Sequence, residues 1–267
     1  MKIKLLGTGA ADGIPAIFSS SEVCRKALEP GSKDCRTRAA ALIDECIKID
    51  LGPDTLGQIQ RNGLDPTLWD AIVFTHSHED HFTASEIQYS MYLFNSNEYT
   101  PFTIYSNPTV SSIIWTRYPD WPLDIVTTQV FETYQIGDYQ LTPILAKHAE
   151  PEECHNLIFE KDGKRFGYMT DTGLWPEVTW EYLEATKLDA MVIECTDGLH
   201  DSGYDGHLAL CELVPVIERL RLAGTLSQES PVFTTHHSHL GGSHEELVAA
   251  MKPYAFQPGF DGLEFSI

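Results

Sequence analysis

Four residues suited to metal binding crowd one short stretch: His76, His78, Asp80 and His81, in the run His76-Ser77-His78-Glu79-Asp80-His81. Neutral imidazoles and carboxylates are the usual nitrogen and oxygen donors for zinc and related divalent cations. In an extended or irregular loop His76 and His78 point the same way, because side chains alternate with period two. Asp80 and His81 then follow the turn into the next helix, so one loop supplies two ligands to each of two neighbouring cations. Four ligands do not complete two sites. His148, Asp171 and His236 supply the remainder, and each follows a run that reads as an apolar strand. A carboxylate such as Asp171 can bridge two cations with its two oxygens. His237 competes with its neighbour for the last position, and the strand pattern favours His236. Two cations roughly 3.5–4 Å apart activate a water and neutralise charge on the attacked group, so such a site needs no serine or cysteine nucleophile.

Bringing these groups together requires strands that end side by side. Most of the groups lie just past the C-terminal end of an apolar run, where α/β scaffolds place their sites. Residues 2–6 alternate and end at Gly7-Thr8-Gly9; residues 39–43 and 46–50 form a hairpin around Asp44-Glu45. Residues 54–62 suit a helix stopped by Gly63, and 71–75 a buried strand that runs straight into His76. A helix over 84–94 and strands over 102–105 and 125–131 follow. The strand 139–145 delivers His148. Strands 157–159 and 165–169, joined by Lys161-Asp162-Gly163-Lys164, deliver Asp171. A helix over 175–186 carries Pro176 in its first turn, and 190–194 is a buried strand leading to Cys195 and Thr196. Residues 207–222 are helical, 231–235 deliver His236, and Ser243 opens the last helix with Glu246 three residues on, as in a capping box. No repeat, low-complexity tract or linker divides the chain, so residues 1–267 read as a single domain.

The 267 residues are 42% hydrophobic and 10% aromatic, enough for a sizeable core. No stretch reaches the ~18 consecutive apolar residues of a membrane span. The N-terminus lacks the apolar segment and small-residue cleavage site of a signal peptide, so a cytoplasmic location is expected. Cys24, Cys35, Cys46, Cys154, Cys195 and Cys211 are scattered without a CxxC pair and read as reduced, packed thiols. The net charge of −21 opposes a long polyanion, since nucleic-acid binders need basic surface. A local basic patch from Arg25, Lys26, Arg36 and Arg38 stays open, but the charge favours a small substrate over tRNA.

The run His76 to His81 matches an HxHxDH motif, and through it the chain resembles the metallo-β-lactamase fold superfamily. The resemblance extends from Leu6-Gly7-Thr8-Gly9 to Gly259-Phe260-Asp261-Gly262. It is greatest to the branch that holds ribonuclease Z and the phosphodiesterase of the carbon–phosphorus lyase pathway. Ile193-Glu194-Cys195-Thr196, Gly206-His207 and Thr235-His236-His237-Ser238-His239 carry that placement, and Phe260-Asp261-Gly262-Leu263-Glu264 looks like the phosphodiesterase in particular. The resemblance implies a four-layer αββα sandwich with two divalent ions at one edge, zinc or manganese, with iron also suited. It implies that His76, His78 and His148 hold one ion, that Asp80, His81 and His236 hold the other, and that Asp171 bridges them. His207 would contact the scissile phosphate or the leaving group, Glu194 would support His207, and Asp50 would prop the metal loop; catalytic roles thus fall to His207, Asp80 and Glu194.

The departures from that branch carry expectations too. The phosphodiesterase relative holds a structural zinc with three cysteines and a late histidine. Here Ser19, Ser21, Cys24 and His239 occupy those positions, so that zinc is expected to be absent. No basic Gly-rich arm for tRNA is found. His155, His200 and His244 match no role and read as solvated or capping residues. The expected activity is a phosphodiesterase acting on a small or cyclic phosphodiester. The alternatives are a lactone or thioester hydrolase, or a non-hydrolytic protein resembling the pyrroloquinoline quinone biosynthesis protein. Family members often dimerise, so a homodimer is possible.

Overall fold

A computed structural model describes residues 1–91, 94 and 102–267. In chain order its elements are β1 (Lys2–Gly7), α1 (Glu22–Ala27), β2 (Ala40–Ile43), β3 (Ile47–Ile49), α2 (Thr55–Asn62), β4 (Ala71–Val73) and α3 (Ala84–Ile87). Then come β5 (Thr103–Ser106), α4 (Pro108–Arg117), β6 (Asp124–Thr127), β7 (Tyr134–Ile136), β8 (Tyr139–Leu145), β9 (His155–Lys161) and β10 (Lys164–Met169). The chain ends with α5 (Glu177–Glu184), β11 (Ala190–Glu194), α6 (Leu210–Ala223), β12 (Val232–Thr235), α7 (His244–Met251), β13 (Gln257–Pro258) and β14 (Glu264–Ser266).

The strands form two mixed sheets. One runs β14-β1-β2-β3-β4-β5-β6 and the other β13-β12-β11-β10-β9-β8-β7. The central strands are apolar on both faces, as strands covered on both sides must be. On β4, Ala71 and Val73 face the second sheet while Ile72 packs outward with Phe74. On β11, Ala190 and Val192 face the first sheet while Met191 and Ile193 pack against the opposite helices. Period-two alternation therefore separates three apolar layers. Phe159, Phe166 and Tyr168 fill the space between the sheets; Val110 and Ile114 of α4 cover the outside of the first sheet; Trp180, Leu183, Leu213 and Ile217 of α5 and α6 cover the outside of the second. The result is the expected four-layer αββα sandwich.

Several boundaries depart from the sequence reading. The helix expected over 84–94 stops at Ile87 and passes into a tight 3₁₀ turn over Gln88–Ser90; residues 92 and 93 lie outside the described residues. The strand expected over 125–131 ends at Thr127, and Phe131 has a left-handed backbone (φ 65°). The helix expected over 175–186 begins at Glu177, because Pro176 is extended (ψ 156°) and stands before the first turn. The helix expected from His207 begins at Leu210. Glu194 Oε2 captures Leu208 N (3.0 Å) and Glu212 Oε2 captures Ala209 N (3.0 Å), which holds His207 in the preceding loop. Helix α4 was not anticipated, although Asn107 accepts from Val110 N and Pro108 opens the first turn. Strands β7, β13 and β14 and the short α1 were not anticipated either.

Two of the four residues that could form a basic patch are engaged within the fold. Arg36 is buried and bonds Thr8 Oγ1 and Gly259 O (2.7 Å each), while Arg38 pairs with Asp54 at 3.1 Å. All six cysteines are free. No helix among the described residues is long and apolar enough to cross a membrane.

The packing between the sheets sets a stability test. Phe159→Ala, in that layer, should cost about 3–5 kcal/mol in urea unfolding, whereas Phe18→Ala, at a fully exposed side chain, should change stability by less than about 0.5 kcal/mol.

Candidate metal centre

The C-terminal ends of β3, β4, β8, β10, β11 and β12 converge on one edge of the sandwich. Three residues there leave their strands through left-handed backbone: Asp50 after β3 (φ 59°), Asp171 after β10 (φ 53°) and His236 after β12 (φ 57°). Such conformations cost on the order of 1 kcal/mol or more for residues with a Cβ, and they cluster where function needs a side chain re-aimed. Gly52 shows the closeness of the packing: a Cβ built there would lie 2.1 Å from Asp80 O.

Two groups of ligand-type side chains result. One is His76, His78, His148 and Asp171; the other is Asp80, His81, Asp171 and His236; within each, the ligand atoms lie within 4.8 Å of one another. Asp171 belongs to both. Its Oδ2 is 3.6 Å from His76 Nε2, 3.5 Å from His148 Nε2 and 3.3 Å from His236 Nε2, and its Oδ1 is 3.3 Å from His81 Nε2. The fit to cations is visible in the nitrogens that face inward. His76 Nε2 and His81 Nε2 are buried and have no hydrogen-bond partner, which costs free energy unless another group takes the lone pair. Burial alone would neutralise Asp171. The surrounding imidazoles, His236 and His81 first, outweigh it and hold the carboxyl well below its ordinary range.

Two buried carboxylates set the orientation of these rings, one in each sheet. Asp50 Oδ2 lies 2.7 Å from His81 Nδ1, and Asp50 also accepts from the Thr75 hydroxyl (3.0 Å) and Thr75 N (2.9 Å). The Thr75 hydroxyl has one proton and gives it to Asp50, so its 3.1 Å contact with His76 Nδ1 requires that nitrogen to be the donor. Glu194 repeats the pattern in the second sheet. Its Oε1 lies 2.7 Å from His207 Nδ1, and its Oε2 accepts from the Thr196 hydroxyl (2.7 Å), which in turn accepts from His236 Nδ1 (2.9 Å). His148 Nδ1 donates to Gly206 O (3.0 Å). In His76, His148 and His236 the proton sits on Nδ1, which leaves Nε2 aimed at the centre; His81 also donates through Nδ1, and against the opposing effect of burial the Asp171, Asp80 and Asp50 carboxylates hold its pKa well above the ordinary value. The sequence assigns Thr75 and Thr196 no such role. Their only signals there were adjacency to His76 and to Glu194-Cys195.

His207 stands beside both groups, with its ring centroid 4.8 Å from that of His148 and 5.2 Å from that of His236. Burial opposes its charge, but the Glu194 carboxylate in contact raises its pKa to about 9, so the ring is cationic at neutral pH. Tyr204, also missed, is exposed and holds its ring 5.5 Å from His207. His237 joins neither group; it is buried, bonds Thr234 Oγ1 (3.1 Å) and lies in the field of Arg36. Two of the three spare histidines differ from expectation. His155 is buried between Thr128 and Glu153, and His244 is buried against Arg36 Nη2 (3.2 Å); only His200 is exposed. At the positions compared with a structural zinc, Cys24 Sγ accepts from Ala16 N, Ser21 caps α1, and His239 pairs with Asp12 at 2.8 Å.

A family model described as the β-lactamase superfamily domain matches residues 46–237, well over half of the chain. The chain belongs to the β-lactamase superfamily. Solved members share its fold. A diphosphatase of the PhnP family is 23% identical, with 99% of this chain and 96% of that one covered and a TM-score of 0.80. Zinc-bound PqqB from Methylobacterium extorquens is 18% identical, with 100% of both chains covered and a TM-score of 0.76. The short form of human tRNase Z is 16% identical, with 100% of this chain and 99% of that one covered and a TM-score of 0.66. A protein of Porphyromonas gingivalis called octanoyltransferase is 24% identical over 99% of this chain, and the chain spans about half (51%) of that relative's length.

The paired carboxylates give a direct test. Asp50→Asn should lower affinity for a divalent cation about 10–100-fold, measured by calorimetric titration, with circular dichroism confirming the fold. Gly52→Ala should also weaken binding by displacing the Asp80 backbone.

Proposed function

We propose that this β-lactamase superfamily member is a binuclear metal-dependent phosphodiesterase acting on a small or cyclic phosphodiester. His76, His78 and His148 would hold one cation and Asp80, His81 and His236 the other, with Asp171 between them. Zinc and manganese suit these donors. Bound there, the ions would activate water and neutralise negative charge on the substrate's non-bridging oxygens.

The observation that carries the reading is the clamp on His207. Five of the contacts to the Glu194 carboxylate fix it: Thr172 N, Thr196 N, the Thr196 hydroxyl, Leu208 N and His207 itself. Because Nδ1 of His207 is engaged, its proton for transfer is at Nε2, on a ring whose charge Glu194 stabilises. That ring can hydrogen-bond a phosphoryl oxygen or protonate a departing alkoxide. Asp80 serves in this reading as a ligand and not as a proton carrier: its Oδ2 faces the Nε2 atoms of His81 (3.2 Å) and His236 (3.4 Å), and against the opposing effect of burial the neighbouring imidazoles hold its carboxyl well below the usual carboxylate range. The acidic chain as a whole favours a small substrate over tRNA.

The test is hydrolysis of an aryl phosphodiester, a cyclic nucleotide and a lactone by protein stripped with chelator and reloaded with zinc or manganese. The phosphodiesters should turn over only after reloading, and His207→Gln should lower kcat by about 10²–10⁴-fold with metal content unchanged. Turnover confined to the lactone would establish the acyl-hydrolase reading instead. No turnover of any substrate by fully metallated protein would favour a role outside hydrolysis.

A further inference from the structure

Glu152 belongs to neither ligand group, yet it bonds together the two loops that supply one of them. It lies in the turn between His148 and β9. Its Oε1 accepts from Ser77 N (2.8 Å) and Asn107 Nδ2 (2.7 Å), and its Oε2 accepts from Ser77 Oγ (2.5 Å). Ser77 sits between His76 and His78. Asn107 is itself fixed: its Nδ2 also donates to Glu153 O (3.0 Å), and its Oδ1 accepts from Val110 N (2.9 Å) at the start of α4. One main-chain bond, His155 N to Thr75 O (2.9 Å), joins the same two segments. The loop of the first sheet that carries His76 and His78 is thus tied to the loop of the second sheet that carries His148. His78 needs this more than the other ligands. It is exposed, whereas His76 and His81 are buried and oriented through Asp50.

We propose that Glu152 is a positioning residue for the His76–His78–His148 group, setting the distance between its two loops, and that losing it weakens the cation held there while sparing the Asp80–His81–His236 group. This rests on the reading that both groups hold cations. Every partner of the Glu152 carboxylate is a donor. Glutamine can keep the same three bonds, because Oε1 still accepts from Ser77 N and Asn107 while Nε2 donates to a rotated Ser77 hydroxyl. Aspartate keeps the charge but is one methylene too short to span the gap.

The experiment is a two-step calorimetric titration of the chelator-stripped protein with Co²⁺, together with the visible spectrum of bound cobalt. The wild type should bind two ions. Glu152→Ala and Glu152→Asp should lose about 10–100-fold in affinity at one step and leave the other within about threefold, while Glu152→Gln should stay near the wild type. Adding Glu152→Ala to His148→Ala should cause no further loss, because both act on the same ion. Equal weakening of both steps, no weakening, or a glutamine variant as weak as alanine would overturn the assignment with the metal reading intact. A wild type that binds no cobalt would overturn both. Should Glu152→Ala fail to fold, the aspartate and glutamine variants decide the matter.

Discussion

Everything at this edge depends on two buried carboxylates that each hold two histidines. Asp50 bonds His81 directly and His76 through the Thr75 hydroxyl; Glu194 bonds His207 directly and His236 through the Thr196 hydroxyl. A buried charge is expensive unless its lone pairs are filled. Glu194 fills them with four main-chain N–H or hydroxyl donors beyond its histidine, and Asp50 with Thr75 N and Oγ1. The same bonds fix which ring nitrogen carries the proton. Satisfying the carboxylates and aiming the Nε2 lone pairs inward are therefore one structural solution.

The sandwich makes that solution possible by ending two sheets at one edge. Each sheet contributes one carboxylate–threonine relay, and Asp171 in the second sheet reaches histidines from both. The left-handed backbone at Asp50, Asp171 and His236 is the local strain this arrangement requires. Dense packing between the sheets, around Phe159, Phe166 and Tyr168, supplies the rigidity that keeps the strained residues in place.

Much of the centre could be read from the sequence because its densest part is local. The spacing of His76, His78, Asp80 and His81 needs no tertiary knowledge, and the apolar runs before His148, Asp171 and His236 mark strand ends by composition alone. The relays could not be read this way. They join residues 31 and 40 apart along the chain, such as Asp50 with His81 and Thr196 with His236, whose meeting depends on strand order and register. Helix limits failed where side chains competed with the backbone pattern. The periodicity of 207–222 continues through His207, but Glu194 takes the donors that would have opened the helix there. The burial of His155 and His244 escapes the sequence for a related reason: it follows from tertiary contacts with Thr128 and Arg36 that no local pattern encodes.

Anomalous diffraction from crystals of zinc-loaded protein tests whether the two sheets share a pair of cations. Two peaks are expected, one within bonding distance of His76, His78 and His148, the other of Asp80, His81 and His236, with Asp171 reaching both. A single peak, or one bound through His237 in place of His236, would contradict it.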